Sequence, residues 1–129
     1  MKIKEIKSKN APLPVGPYSQ AVEFGKLLFC SGQLGIDPKN GNLVTGGIEK
    51  ETEQVLENLA AVLKSAKSDL KNVLRVEIFL TDMNDFGKVN EIYTKYFNGK
   101  VKPARATVEI SGLSKKAHIE ISCIAYVNK

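Results

Sequence analysis

Between positions 66 and 73 the apolar residues change period, and that change decides which layers the chain can build. Ile48, Val55, Leu56, Leu59, Val62, Leu63 and Ala66 recur at intervals of three and four, which puts them on one face of a helix of about five turns. Glu49, Glu51 and Glu53 stand near its start and Lys64 and Lys67 near its end, the polarity that a helix macrodipole favours. From Val73 the interval is two. Val73, Arg75, Glu77 and Phe79 alternate with Leu74, Val76, Ile78 and Leu80 in a β-branched run that reads as a strand.

The remaining segments fit around this pair. Residues 2–7 can form a first strand, and Ala11-Pro-Leu-Pro-Val-Gly-Pro17 is kept out of helix by its prolines. Strand-like runs at 20–24 and 27–31 are joined by Gly25-Lys26, short enough for a hairpin. Asp37-Pro-Lys-Asn-Gly41 carries turn chemistry. A second helix, begun by Asp82 or Asn84, carries Phe86, Val89, Tyr93, Tyr96 and Phe97 on one stripe, and Asn98-Gly99 should end it with a left-handed cap. Runs at 105–110 and 118–127 alternate, with 112–117 as a loop between them. The expectation is one α+β domain over residues 1–129, its sheet mixed and mostly antiparallel, with both helices on one face.

Several function classes drop out on composition. No apolar run approaches the ~18 residues of a membrane-spanning helix, and the N-terminus alternates lysine with isoleucine in place of a signal peptide's apolar stretch. A cytoplasmic protein is therefore expected. Cys30 and Cys123 have no metal-knuckle or dithiol spacing and read as small buried hydrophobes on strands. His118 is the only histidine, so mechanisms that need two imidazoles are excluded, and no metal site is expected. Gly41-Asn-Leu-Val-Thr-Gly-Gly47 is followed by Ile48-Glu49 where a phosphate loop needs Lys-Ser/Thr, so it reads as a turn. The net charge of +5 is concentrated at the two ends of the chain. Such an excess suits a pocket for an anionic substrate or a nucleic-acid surface. Lys100, Lys102, Arg105, Lys115 and Lys116 could form the latter, but no aromatic cluster interleaves them.

Gly16-Pro-Tyr-Ser-Gln20, Ser31-Gly-Gln33, Asp82-Met-Asn-Asp-Phe86, Pro103-Ala-Arg-Ala-Thr-Val-Glu-Ile-Ser-Gly-Leu113 and Ile119-Glu-Ile121, in this order and spacing, resemble the RidA/YjgF reactive-intermediate deaminase family over essentially the whole chain. The resemblance implies a chorismate-mutase-like fold, a homotrimer with clefts between subunits, and cofactor-free hydrolysis of 2-imino or 2-enamino acids to 2-oxo acids and ammonia. It implies that Arg105 grips the substrate carboxylate and Glu120 positions a water. Tyr18, Ser31, Gly32 and Asn90 match pocket positions, and Thr107 stands where many active members have cysteine. A rival of the same fold would bind a small carboxylate, or RNA, without hydrolysis.

The chemistry agrees with these residue types. A 2-imino acid is already electrophilic at C2, so a site must hold its carboxylate, deliver water and release ammonia. A planar guanidinium pairs bidentately with a carboxylate, and a carboxylate within reach of water serves as base. The plain alternatives are a surface arginine, a solvent-facing strand glutamate, a packed Tyr18, a capping Ser31 and a surface Asn90. If the last two strands form an antiparallel hairpin with Glu109 opposite Glu120, Arg105 and Glu120 share the face opposite Ile119 and Ile121. They then lie roughly 13 Å apart at about 3.3 Å per residue. One small substrate cannot span that, so the two side chains are expected from neighbouring subunits.

Overall fold

Both long periodic segments form what their periods predict. In the computed structural model the first helix, α1, spans Gly47–Ser65, and all seven residues of its apolar stripe are buried. Residues 1–128 are described; Lys129, the last residue of the expected 1–129 domain, lies outside them. Strands β1 (Lys4–Ile6), β2 (Ala21–Phe24) and β3 (Leu27–Gln33) precede α1, and β4 (Val73–Leu80) follows it. Next come α2 (Phe86–Tyr96), β5 (Ala104–Glu109) and β6 (Ile119–Tyr126). The result is one small α+β domain with a mixed sheet.

The sheet runs β1-β2-β3-β6-β4-β5, antiparallel throughout except for the parallel pair β4 and β5. This overturns the expected hairpin of the last two strands. β6 inserts between β3 and β4, and β4 separates it from β5. The physical reason lies in α2: a strand, a helix and a second strand make a crossover whose strands pair side by side in parallel, so β5 takes the free edge of β4. The loop after β5 then crosses back over β4, with the Ile110 N–H donating to Leu80 O and the Thr81 N–H to His118 O.

Ile119, Ile121, Cys123 and Ala125 of β6 and Val76, Ile78 and Leu80 of β4 face α1 and are buried. Leu28 and Cys30 continue this face on β3. Both cysteines are free and buried, directly opposite each other in the β3–β6 register. Hydrogen bonding with Cys30, then burial, pushes the Cys123 thiol far above the usual thiol range. α2 packs on α1 over the same side of the sheet. Among the described residues the other side has no helix, and it carries Phe24, Leu27, Phe29 and Val108, each more than 40 % exposed. No helix among the described residues is long and apolar enough to cross a membrane.

One helix end differs from expectation. Asp82 accepts from the Asn84 N–H and starts a 3₁₀ turn that runs into α2 at Phe86. At the far end, however, α2 stops at Phe97, whose N–H still reaches Tyr93 O, and Gly99 is not left-handed. Phe97 is buried, with its ring centroid 4.4 Å from that of Tyr93. Seating this ring in the core turns the chain out before Asn98-Gly99 can cap the helix.

Candidate functional site

Glu120 projects from β6 onto the open face of the sheet, opposite Phe79 of β4. Across from it, β3 slips register between Cys30 and Gln33, a bulge that releases Ser31 and Gly32 from the ladder. A Cβ on Gly32 would stand 2.6 Å from Glu120 Cδ and 2.8 Å from its Oε2. The carboxylate therefore lies against bare backbone, and burial there holds its pKa above the ordinary carboxylate value.

The walls of this cleft, a space of about 640 Å³, are set by buried amides. Gln20 accepts from the Ser8 N–H and donates to Ser8 O and Pro12 O, fixing the proline-rich segment that carries Leu13 and Val15. Asn58 of α1 donates to Leu34 O and Ile36 O, fixing the opposite wall. The Ser31 hydroxyl donates to Ser19 O at 2.6 Å, which ties the Tyr18 turn to β3. Tyr18 is exposed at the rim, its hydroxyl accepting from the Val15 N–H at 3.4 Å. Lys115 closes the mouth, with its Nζ on Gly41 O and its own backbone left-handed at φ 57°.

Arg105 lies elsewhere. In the parallel register it pairs with Val76, a core residue of the helix side, so Arg105 and Thr107 point under α2 while Ala106 and Val108 take the open face. The expected common face for Arg105 and Glu120 is thus corrected: they are on opposite faces of the sheet. Three residues along the strands and two strands across separate them, roughly 14 Å at strand spacings. The pattern misleads because β5 inverts the usual order, its polar residues roofed by a helix and its apolar ones bare.

Under α2 the guanidinium has partners. Arg105 Nη1 donates to Asn90 Oδ1 at 2.8 Å, and its Cζ lies 4.8 Å from the Tyr93 ring centroid and 5.5 Å from that of Phe86. A second, smaller cleft of about 310 Å³ opens beside it, lined also by Thr94, Lys102 and Pro103. The Thr107 Oγ1 and Tyr93 Oη are buried without hydrogen-bond partners among the described residues.

Of the residues singled out from the sequence, Tyr18, Ser31, Gly32 and Glu120 are thus brought together in one cleft, and Asn90 and Arg105 line the other, with Thr107 two residues along the same strand. Of the lysines of the suggested basic patch, Lys115 lines the first cleft and Lys102 the second. Phe86 and Tyr93, which the sequence offers only as members of the apolar stripe of α2, also face the guanidinium. Their spacing from Asn90, four residues before and three after, is the signal that all three share one helix face.

Comparison with known proteins adds an independent finding. The family model described as Endoribonuclease L-PSP matches residues 8–127. A RutC family protein of Pyrococcus horikoshii is 53% identical over 94% of this chain and 95% of its own. A 2-iminobutanoate/2-iminopropanoate deaminase of Mus musculus is 47% identical over 95% of this chain and 90% of its own. Among solved structures, a protein of unknown function of the Rid family from Yersinia pestis superposes with a TM-score of 0.95 at 47% identity, covering 98% of this chain and all of that one.

Proposed function

The chain belongs to the Endoribonuclease L-PSP family, the RidA/YjgF proteins, and from that premise we propose that it is a cytoplasmic, cofactor-independent hydrolase of small 2-imino and 2-enamino acids. The observation that carries the reading is the pair of half-sites on opposite faces of one sheet. One holds a carboxylate whose proton affinity is raised by burial, and the other an arginine with no carboxylate partner among the described residues. Neither is a complete site alone. Brought together from two copies of the chain they supply the anion fork and the base that imine hydrolysis needs.

Assembly of a chorismate-mutase-like homotrimer, with the open apolar face turned inward, joins the Arg105 cleft of one subunit to the Glu120 cleft of the next. In the reaction the substrate carboxylate pairs with Arg105. With the imine nitrogen protonated, Glu120 takes a proton from a water whose oxygen adds to C2, giving a neutral carbinolamine. Glu120 then returns that proton to the nitrogen, the C–N bond breaks as ammonia leaves, and the hydroxyl left on C2 gives its proton to the Glu120 carboxylate as the 2-oxo acid forms. Tyr18 and the backbone at Ser31-Gly32 orient substrate or water from the Glu120 side; on the other side Asn90 acts through Arg105, and Thr107 stands two residues along the same strand. Threonine in place of cysteine removes any step that requires a thiol.

The test is ammonia release from 2-aminoacrylate generated enzymatically in the cuvette, measured against the no-enzyme rate. Acceleration that disappears in Arg105→Lys supports the reading, because an ammonium cannot reproduce the planar fork. Ammonia release no faster than the uncatalysed reaction would overturn it. RNA degradation assayed in parallel separates it from the family's endoribonuclease description.

A further inference from the structure

Phe86, Asn90 and Tyr93 lie four and three residues apart on α2 and so present one stripe to the sheet. Arg105 is held by that stripe through three contacts of two kinds: rings at 4.8 Å and 5.5 Å, and an amide oxygen at 2.8 Å. All three partners are uncharged. Among the described residues no carboxylate comes within ion-pair distance of the guanidinium. Neutral partners can fix the plane of an arginine while leaving its charge uncancelled, since ring quadrupoles and an amide dipole attract a cation without neutralising it. A carboxylate in the place of Asn90 would fix the plane equally well but would compete with any anionic ligand.

We propose that Phe86, Asn90 and Tyr93 are positioning residues that form a charge-neutral cradle, presenting Arg105 aligned and unpaired to the carboxylate of the substrate. The inference rests on the reading of Arg105 as the carboxylate-binding group. It adds that the affinity for small carboxylates is set on α2, by side chains that need not touch the ligand. Tyr93 acts through the face of its ring, so its hydroxyl is dispensable. Asn90 acts by being neutral, so its closest acidic analogue is the harmful one.

The experiment measures KM and kcat for 2-iminopropanoate, and pyruvate affinity by calorimetry, in wild type, Asn90→Asp, Phe86→Leu, Tyr93→Leu and Tyr93→Phe. Asn90→Asp should raise KM and the pyruvate Kd at least about tenfold with kcat within about twofold, as expected when an internal counter-ion competes for the guanidinium. Tyr93→Leu should weaken pyruvate binding about tenfold, in line with loss of a desolvated cation–π contact, and Tyr93→Phe should restore it. A folded Asn90→Asp protein that binds pyruvate as wild type does would overturn the proposal. If Tyr93→Leu fails to fold, Phe86→Leu, at a half-buried ring, decides the role of the aromatic walls: unchanged pyruvate affinity there overturns it. A wild-type protein inert toward imino acids whose pyruvate affinity still follows this pattern would keep the cradle and remove only the reaction. One that binds no pyruvate at all would overturn both.

Discussion

On the proposed reading Glu120 serves two opposed demands, and single substitutions separate them. Its carboxyl pKa lies above its unfolded value of about 4.5, so between those two values the folded chain keeps a proton that the unfolded chain has released. Stability therefore falls as pH rises through this window. Glu120→Gln removes the charge. Its thermal midpoint should match wild type below pH 4.5 and exceed it at pH 7.5, while imine hydrolysis drops by at least about two decades, the usual range for a lost general base. An unchanged rate would return Glu120 to an ordinary strand carboxylate. Gly32 gives the complementary case. The three atoms a methyl would meet first at that position are Cδ, Cγ and Oε2 of the Glu120 side chain, so Gly32→Ala should fold with a near-native melting temperature and still lose most activity, because the carboxylate has to swing away. A steep loss of stability instead would mean that the glycine serves the bulge and not the base.

At the scale of elements, α2 both roofs the core and holds Arg105, and the two tasks leave a trace in Tyr93. Its ring is buried between Arg105 and Phe97, yet its hydroxyl has no partner among the described residues, and burial pushes its pKa up. An orphaned buried hydroxyl costs about 1–3 kcal/mol, so Tyr93→Phe should raise the unfolding free energy by about 1 kcal/mol in urea melts. A decrease would show that the hydroxyl is satisfied in solution. The sequence displayed α2 and its stripe plainly, as it did α1 and β4, because amphipathic period is a local property. The partner of β5 was not legible in the same way. Whether β5 pairs with β4 or with β6 depends on where a helix-spanned crossover returns, which the alternation of 105–110 does not encode. Ala106 and Val108 look inward-facing by hydropathy, and they lie on the bare side only because α2 and Arg105 occupy the other. The candidate residues themselves were legible in the segments around Arg105 and Glu120. Their opposite faces were not, since a face follows from the strand order.

For the whole molecule, the proposed joint use of Arg105 and Glu120 from opposite faces makes a strong demand on assembly. A closed trimer in which each site takes its arginine from one subunit and its glutamate from the next should be restored by mixing two dead proteins. If Arg105→Ala and Glu120→Gln chains are unfolded together in equal amounts and refolded, about a quarter of the sites should receive both intact side chains by random assortment around a cyclic interface. Recovery of about a quarter of wild-type activity is the expected outcome. No recovery, from mixtures shown by sedimentation to contain trimers, would mean that the reacting groups come from one chain. The exposed aromatic and aliphatic residues of the helix-free face, Phe24, Leu27, Phe29 and Val108, are the candidates for the buried core of that interface.

The two cysteines have a practical consequence of another sort. They are the only thiols in the chain, they face each other across β3 and β6 near the middle of the sheet, and both are buried. A thiol reagent can meet them only when the central strands part, so the rate of alkylation becomes a stopwatch for opening of the molecule's most protected layer. With excess reagent under native conditions the two sites should be modified together and slowly. The free energy obtained from that rate should equal the one from denaturant melts. Faster labelling of one cysteine would locate a local breathing motion at its strand, and it would do so in the unaltered protein, with no engineered probe.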